Sequence, residues 1–166
     1  MTQRFEFRSV RPEDAEQAVQ LENICFPPHE ACSRKDMYER IETAPELFLV
    51  VVEKETGIVA GLLNGLSTNE TKFRDEFFTD ITLYDPAGKN VMLLGLEVRP
   101  EYQRKGLAKA LVSEYAKRER ANGRTTLTLT CLDQKVAMYQ KMGFQDHGIA
   151  NSSWGGEEWH EMGLEL

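Results

Sequence analysis

The sequence predicts an α/β fold in one domain, a mixed sheet flanked by helices. Three observations carry that expectation. β-rich runs such as LFLVVVE, Leu47 to Glu53, alternate with segments whose apolar residues recur at helical spacing. One strand-like run passes through a basic, glycine-centred turn straight into the best helix of the chain. The 166 residues contain no repeat, linker or low-complexity stretch, and a chain of this length is ordinarily one domain with a real core.

In chain order, Phe5, Phe7 and Val10 predict a first strand that ends before Arg11-Pro12. Residues 12–25 read as a helix, with proline near its start and acids in its first turn. Ala15, Ala18, Val19, Glu22 and Cys25 follow helical spacing, and Phe26-Pro27-Pro28 breaks the pattern. A second helix is expected over 34–43, with Ser33 as its cap and Asp36 in a variant capping box. The runs 47–53 and 58–66 form a hairpin through Lys54-Glu55-Thr56-Gly57. Its second strand carries Gly61 and Gly65, which permit close packing or a bulge.

Phe73, Phe77, Phe78 and Ile81 predict a short helix within 69–83, and Asp85-Pro86-Ala87-Gly88 a turn. Residues 90–98 are a continuous apolar run, which reads as a central strand buried on both faces. Leu107, Leu111 and Tyr115 give residues 105–122 an apolar stripe, basic residues lie near its end, and Gly123 stops it. A strand over 125–131, a short helix over 135–142 and a last strand over 158–164 complete the order, with Gly143-Phe144 starting the return between the last two.

Composition narrows the function classes. With 27 acidic and 20 basic residues the net charge is −7, which argues against a nucleic-acid binder and suits a cationic partner such as an amine. No apolar run approaches a membrane span, and the N-terminus lacks the apolar core of a secretory signal. The three cysteines form no CxxC and read as reduced thiols of a cytoplasmic protein. Cys25, His29 and Cys32 lack a fourth metal ligand at suitable spacing, so no metal is expected.

Against that acidic background, Gln103-Arg104-Lys105-Gly106-Leu107-Ala108 places two cations at one strand-to-helix turn. Free backbone N–H groups and the helix dipole make such a turn an anion site, and glycine lets a phosphate approach the backbone. GxGxxG and GxxxxGK[ST] are both absent, so neither a dinucleotide fold nor a P-loop is indicated.

The turn resembles the Q/R-x-x-G-x-G/A acyl-CoA signature of the GCN5-related N-acetyltransferase (GNAT) superfamily. Leu96-Glu97-Val98-Arg99-Pro100 looks like the strand before that signature, and Ala137-Met138-Tyr139-Gln140-Lys141-Met142-Gly143-Phe144 is similar to the family's YxKxGF element. The opening RSVRPEDAEQAVQLE extends the likeness over nearly the whole chain. APELFLVVVE, CLDQKVAMYQKMGF and GGEEWHEM further resemble the arylalkylamine, serotonin-type members. Two histidines of vertebrate members fall at Met92 and Leu94, so a histidine relay is not carried over, nor is a phosphorylation-dependent partner.

The resemblance implies a GNAT-like domain with a twisted, mostly antiparallel sheet whose splayed central strands open a cleft. It implies acetyl-CoA as donor, held by Leu96, Glu97, Val98, Gln103, Arg104, Lys105, Gly106, Leu107, Ala108, Asp133 and Tyr139. Tyr139 matches the family tyrosine that faces the CoA sulfur and is expected to be the general acid. Glu97 and Glu30 are the candidate bases, ahead of His29 and His160. Strand alternation turns Glu97 away from Met92, Leu94 and Leu96. Phe26, Pro27, Met92 and Leu94 are the expected acceptor wall, with Trp154 and Trp159 as further aromatic surface. The expected reaction is acetylation of a small primary amine by a monomer or homodimer. Protein N-terminal acetylation and non-catalytic acyl-CoA sensing are the alternatives.

Overall fold

The computed structural model describes residues 3–166. Its strands are β1 (Phe5–Ser9), β2 (Phe48–Glu53), β3 (Val59–Thr68), β4 (Asn90–Val98), β5 (Thr126–Cys131), β6 (Gln145–Ile149) and β7 (His160–Glu165). Its helices are α1 (Ala15–Cys25), α2 (Arg34–Thr43), α3 (Glu76–Thr79), α4 (Leu107–Ala121) and α5 (Val136–Lys141). The seven strands make one sheet in the order β1-β2-β3-β4-β5-β7-β6. Only β4 and β5 run parallel; every other neighbouring pair is antiparallel.

All six residues of β2 are buried, and its alternation explains why. Phe48, Val50 and Val52 pack with Leu62 against Ala18 and Leu21 of α1 and Met37 and Ile41 of α2. Leu49 and Val51 join Leu63, Leu93, Leu107, Leu111 and Tyr139 on the other face, under α4 and α5. A strand with helices on both sides has no solvent face, so the VVV run needs no polar partner. Leu111 is fully buried in the second turn of α4; Leu111→Ala is expected to cost about 2–5 kcal/mol.

Local caps set the helix starts. Ser33 Oγ accepts from Asp36 N–H at 3.1 Å, as the capping pattern requires. The predicted first helix opens instead as a 3-10 turn, Pro12–Asp14, where Asp14 accepts from Arg11 N–H at 2.8 Å and pairs with Arg8 of β1. The short helix predicted within 69–83 is α3, and the pattern carries on only as a 3-10 turn at Ile81–Leu83. Asp80 interrupts it, accepting from Thr82 N–H at 3.0 Å, while Phe73 and Phe77 bury against Met92. The return after Gly143-Phe144 is β6, an exposed edge strand of sequence QDHGI that has no apolar alternation to read.

β3 and β4 meet at a bulge, one of the two roles the sequence left open for Gly65. Asn64 of β3 pairs with Gly95 but Gly65 pairs with Leu93, so Leu94 is an extra residue in β4. Gly65 sits at this irregularity, where a Cβ would lie 2.7 Å from Met92 O.

Candidate active site

β4 and β5 are paired only from Asn90–Thr126 to Met92–Thr128. Beyond that the two strands separate, and Leu94, Gly95 and Leu96 are only half-buried in an otherwise buried strand. The splay expected from the family likeness is therefore present. Its edge is chemically open. Arg99 N–H donates to Ala60 O in β3 at 2.8 Å, so Val98 and Leu96, at alternate positions, direct their N–H and C=O away from β3 into the gap. Within the chain, Val98 O accepts from Gln103 Nε2 at 3.0 Å and from the Cys25 thiol at 3.4 Å. An extended amide-bearing ligand can complete this edge as an added strand would.

At the end of that edge, α4 starts two residues later than the sequence pattern suggests. Gly106 is its N-cap, left-handed at φ 81°, and Arg104 is also left-handed at φ 62°. Two left-handed residues at a helix start turn successive N–H groups into one concavity, which with the helix dipole attracts an anion. Arg104 is the one positive-φ non-glycine residue among the described residues, and strain of that kind is typical of ligand-binding turns. Gln103, Arg104, Lys105 and Gly106 are exposed, while Leu107 anchors the helix in the core and Ala108 packs at its margin. The open edge, the concavity and the cations fit a pantetheine arm and pyrophosphate in sequence.

On the far side of the gap, α5 presents Tyr139, 9% exposed and edge-on to Phe144 at 5.6 Å. Burial foremost, then the nearby Cys131 and Glu97, pushes its phenol pKa up, so it holds its proton at neutral pH. Asp133, in the turn before α5, is exposed and ion-paired with His160 Nε2 at 3.2 Å.

Glu97 overturns the alternation argument for Met92, while Leu96, opposite Leu63, still faces the other way. Its partner Leu62 and Met92's partner Leu66 lie four apart on β3 and share a face, so the bulge at Leu94 brings Glu97 round to the Met92 side. There it is 2% exposed and faces Glu22 of α1, a residue the sequence pattern placed only in a helix stripe. Burial, then the Glu22 carboxyl, hold Glu97 well above the usual carboxylate range. Sequence reasoning missed Glu22; a glutamate amid an apolar helical stripe was its available signal.

Glu30 belongs to a different cluster. Its side chain pairs with His29 at 3.3 Å, and the ligand atoms of His29, Glu30 and Glu157 lie within 4.8 Å of one another. Trp154 Nε1 donates to Glu30 O at 2.8 Å, and its ring stacks on Phe78 with centroids 4.6 Å apart. Phe78 continues to Phe73 at 5.1 Å, and this aromatic row packs against Met92 and Leu94. Phe26 is half-buried at the end of α1, Pro27 is exposed, and Trp159 Nε1 donates to Trp154 O at 2.8 Å. The α1–α2 loop, α3 and the β6–β7 loop thus meet beside the gap, on the side where Glu97 and Met92 point.

Comparison with known proteins agrees with this architecture. The fold superposes on the GphF GNAT-like decarboxylase in complex with isobutyryl-CoA with a TM-score of 0.81 at 18% identity, covering 96% of this chain and 98% of that one. It matches the ribosomal-protein-S18-alanine N-acetyltransferase from Escherichia coli with a TM-score of 0.73 at 19% identity, covering 98% and 94%. The Salmonella typhimurium yncA protein, solved with its cofactor acetyl-CoA, matches with a TM-score of 0.68 at 18% identity, covering 98% and 94%. No curated protein matches the chain at a significant level. The sequence profile of the Acetyltransferase (GNAT) family matches residues 15–144, most of the chain and every element of the gap, so the protein belongs to the GNAT acetyltransferase family.

Proposed function

We propose that this acetyltransferase moves an acetyl group from acetyl-CoA to a small primary amine, an arylalkylamine or a related apolar amine. The observation that carries the choice of acceptor is the Trp154 bolt. Its indole hydrogen bond to Glu30 O and its stack on Phe78 tie the α1–α2 loop to α3 and the β6–β7 loop. An aromatic row beside Met92 and Leu94 suits a flat apolar body, and the acidic His29, Glu30 and Glu157 rim suits a cationic amine on its way in. A peptide N-terminus needs a groove that continues past the acceptor nitrogen, whereas loops tied together through Trp154 suit an enclosed acceptor. Protein N-terminal acetylation remains the second reading, favoured by the fold shared with the S18-alanine enzyme.

The donor supplies an activated thioester. For this role Leu96 and Val98 hold the pantetheine arm through their gap-facing backbone groups, and the turn at Arg104, Lys105 and Gly106 holds the pyrophosphate. A backbone N–H of β4 faces the thioester oxygen and stabilises its negative charge in the transition state. Tyr139, held neutral, donates a hydrogen bond to the departing sulfur. An alkylamine near pKa ~10 costs about 4 kcal/mol to deprotonate at neutral pH, so a proton acceptor is also needed.

CoA release, measured with acetyl-CoA and isobutyryl-CoA against a panel of arylalkylamines, polyamines and alanine-, serine- and methionine-started peptides, tests the assignment. Turnover with aryl amines above the peptides supports it. Turnover with peptides alone overturns the acceptor assignment, and cofactor binding with no turnover on any acceptor marks an acyl-CoA sensor.

A further inference from the structure

Four buried polar atoms have no hydrogen-bond partner among the described residues: Glu22 Oε1, Asn64 Nδ2 and both carboxylate oxygens of Glu97. They converge on one place. A Cβ built on Gly95 would lie 2.6 Å from Glu97 Oε1, 3.4 Å from Asn64 Nδ2 and 3.8 Å from Glu22 Oε1. Gly95 directly follows the bulge, in the stretch of β4 that β5 has left. The unpaired groups therefore sit against the thioester-facing part of the central strand.

Two carboxylates this close and this buried cannot both be charged, since each anion would lack solvent and face a like charge. One proton between them removes the difficulty: a protonated carboxyl donates to its neighbour, and both find partners. The surroundings fit a single negative charge. Cys32 N–H donates to Glu22 Oε2 at 3.0 Å. Arg40 Nη1 donates to Asn64 Oδ1 at 3.4 Å, which leaves the Asn64 amide N–H groups on the carboxyl side. Among the described residues Arg40 bonds neither carboxyl; its other bond goes to Phe78 O at 2.9 Å. The remaining titratable neighbours are the Cys25 and Cys32 thiols, both raised by burial, and the Tyr139 phenol.

We propose that Glu22 and Glu97 share one proton, and that this monoanionic pair, set against β4 at Gly95, accepts the proton that the acceptor amine must lose. The inference rests on the acetyltransferase reading. An ammonium R–NH3+ passes one proton to the pair, directly or through one water, leaving two neutral carboxyls and a free electron pair on nitrogen. That electron pair forms the C–N bond as the thioester C–S bond breaks. The nitrogen's second proton ends on sulfur by way of Tyr139, and the pair returns its extra proton to solvent after release. Burial suits the pair to this task because desolvation makes the remaining carboxylate more basic and so offsets the lowering that a shared proton brings.

The test uses the whole chain and two variants, Glu97→Gln and Glu22→Gln, each first checked for a wild-type melting transition and acetyl-CoA Kd. Infrared titration without ligand is expected to show a protonated carboxyl at neutral pH that is absent in Glu97→Gln. In Glu22→Gln it should ionise at lower pH, because a neighbouring carboxyl has gone. In turnover, Glu97→Gln should lose roughly 10²–10⁴-fold in kcat. Glu22→Gln should move the acid limb of the kcat/KM profile to higher pH, because a lone Glu97 carboxylate loses the shared proton that stabilises the monoanion. No protonated carboxyl in the wild type, or a folded Glu97→Gln variant with wild-type kcat and acid limb, overturns the proposal while leaving the acetyltransferase reading standing. Acetyl-CoA binding with no turnover in the wild type overturns that reading instead, and the infrared band still reports the shared proton.

Discussion

Replacing Gly106 with valine separates the anion cradle from the fold around it. Gly106 has φ 81° and ψ 12°, a left-handed conformation that a β-branched side chain adopts only under strain. Strain of this kind is about 2 kcal/mol, which in a domain of this size lowers the melting temperature by about 4–8 °C. The cofactor effect comes on top. A Cβ and two methyls at the helix N-cap obstruct close approach of an anion to the backbone, and losing one charge-assisted hydrogen bond costs about 1.5–3 kcal/mol, or roughly 10- to 150-fold in Kd. Gly123→Val supplies the control: its φ is 82°, nothing lies within 4 Å of its Cβ position, and it follows the opposite end of α4. Isothermal titration with acetyl-CoA, beside thermal melts of both variants, reads the two effects separately. Similar destabilisation is expected in both, with weakened binding only in Gly106→Val. A folded Gly106→Val variant with wild-type Kd, or equal affinity loss in Gly123→Val, refutes the cradle.

Tyr139→Phe keeps the edge contact with Phe144, so acetyl-CoA Kd should hold while single-turnover acetyl transfer slows roughly 10²–10⁴-fold; unchanged transfer across the pH range removes Tyr139 from the acid role. Arg104→Gly should relieve a left-handed residue and raise the melting temperature by about 2–4 °C for about 1 kcal/mol, while the lost charge weakens acetyl-CoA binding, and more so at low salt. Trp154→Ala removes both the stack on Phe78 and the bond to Glu30 O, and should raise KM for aryl amines more than for alkyl amines; Trp154→Phe, which keeps a stacking ring, should recover part of the loss. The hydrogen bond to Asp146, with Asp133 adding to it, raises the His160 pKa, so its stabilisation is full below the unfolded value near 6.5 and fades as pH rises through the folded value. His160→Gln should therefore melt below wild type in acid and converge with it in alkali, as scanning calorimetry across that range would record.

What the sequence determined by itself is local in the chain. A strand, a basic glycine turn and a helix follow one another directly at residues 96–111, so the candidate anion turn was legible from adjacent residues, and Tyr139 as a candidate from the family likeness of its place before Gly143-Phe144. The two-sided burial at the start of β4 was legible too, because the continuous apolar run over 90–98 leaves no polar face to expose. The three-dimensional arrangement decided the rest. One extra residue at Leu94 inverts every later side chain of β4, and no periodicity rule applied to 90–98 carries that information; it arises where β3 and β4 come into register around Gly65. That inversion turns Glu97 from a residue facing away into the buried neighbour of Glu22, and only packing of α1 on the sheet makes two glutamates distant in sequence into one proton site. The Trp154 bolt has the same character: Trp154 and Glu30 read singly as an aromatic surface and a candidate base, and come into contact only because the fold brings the two loops together.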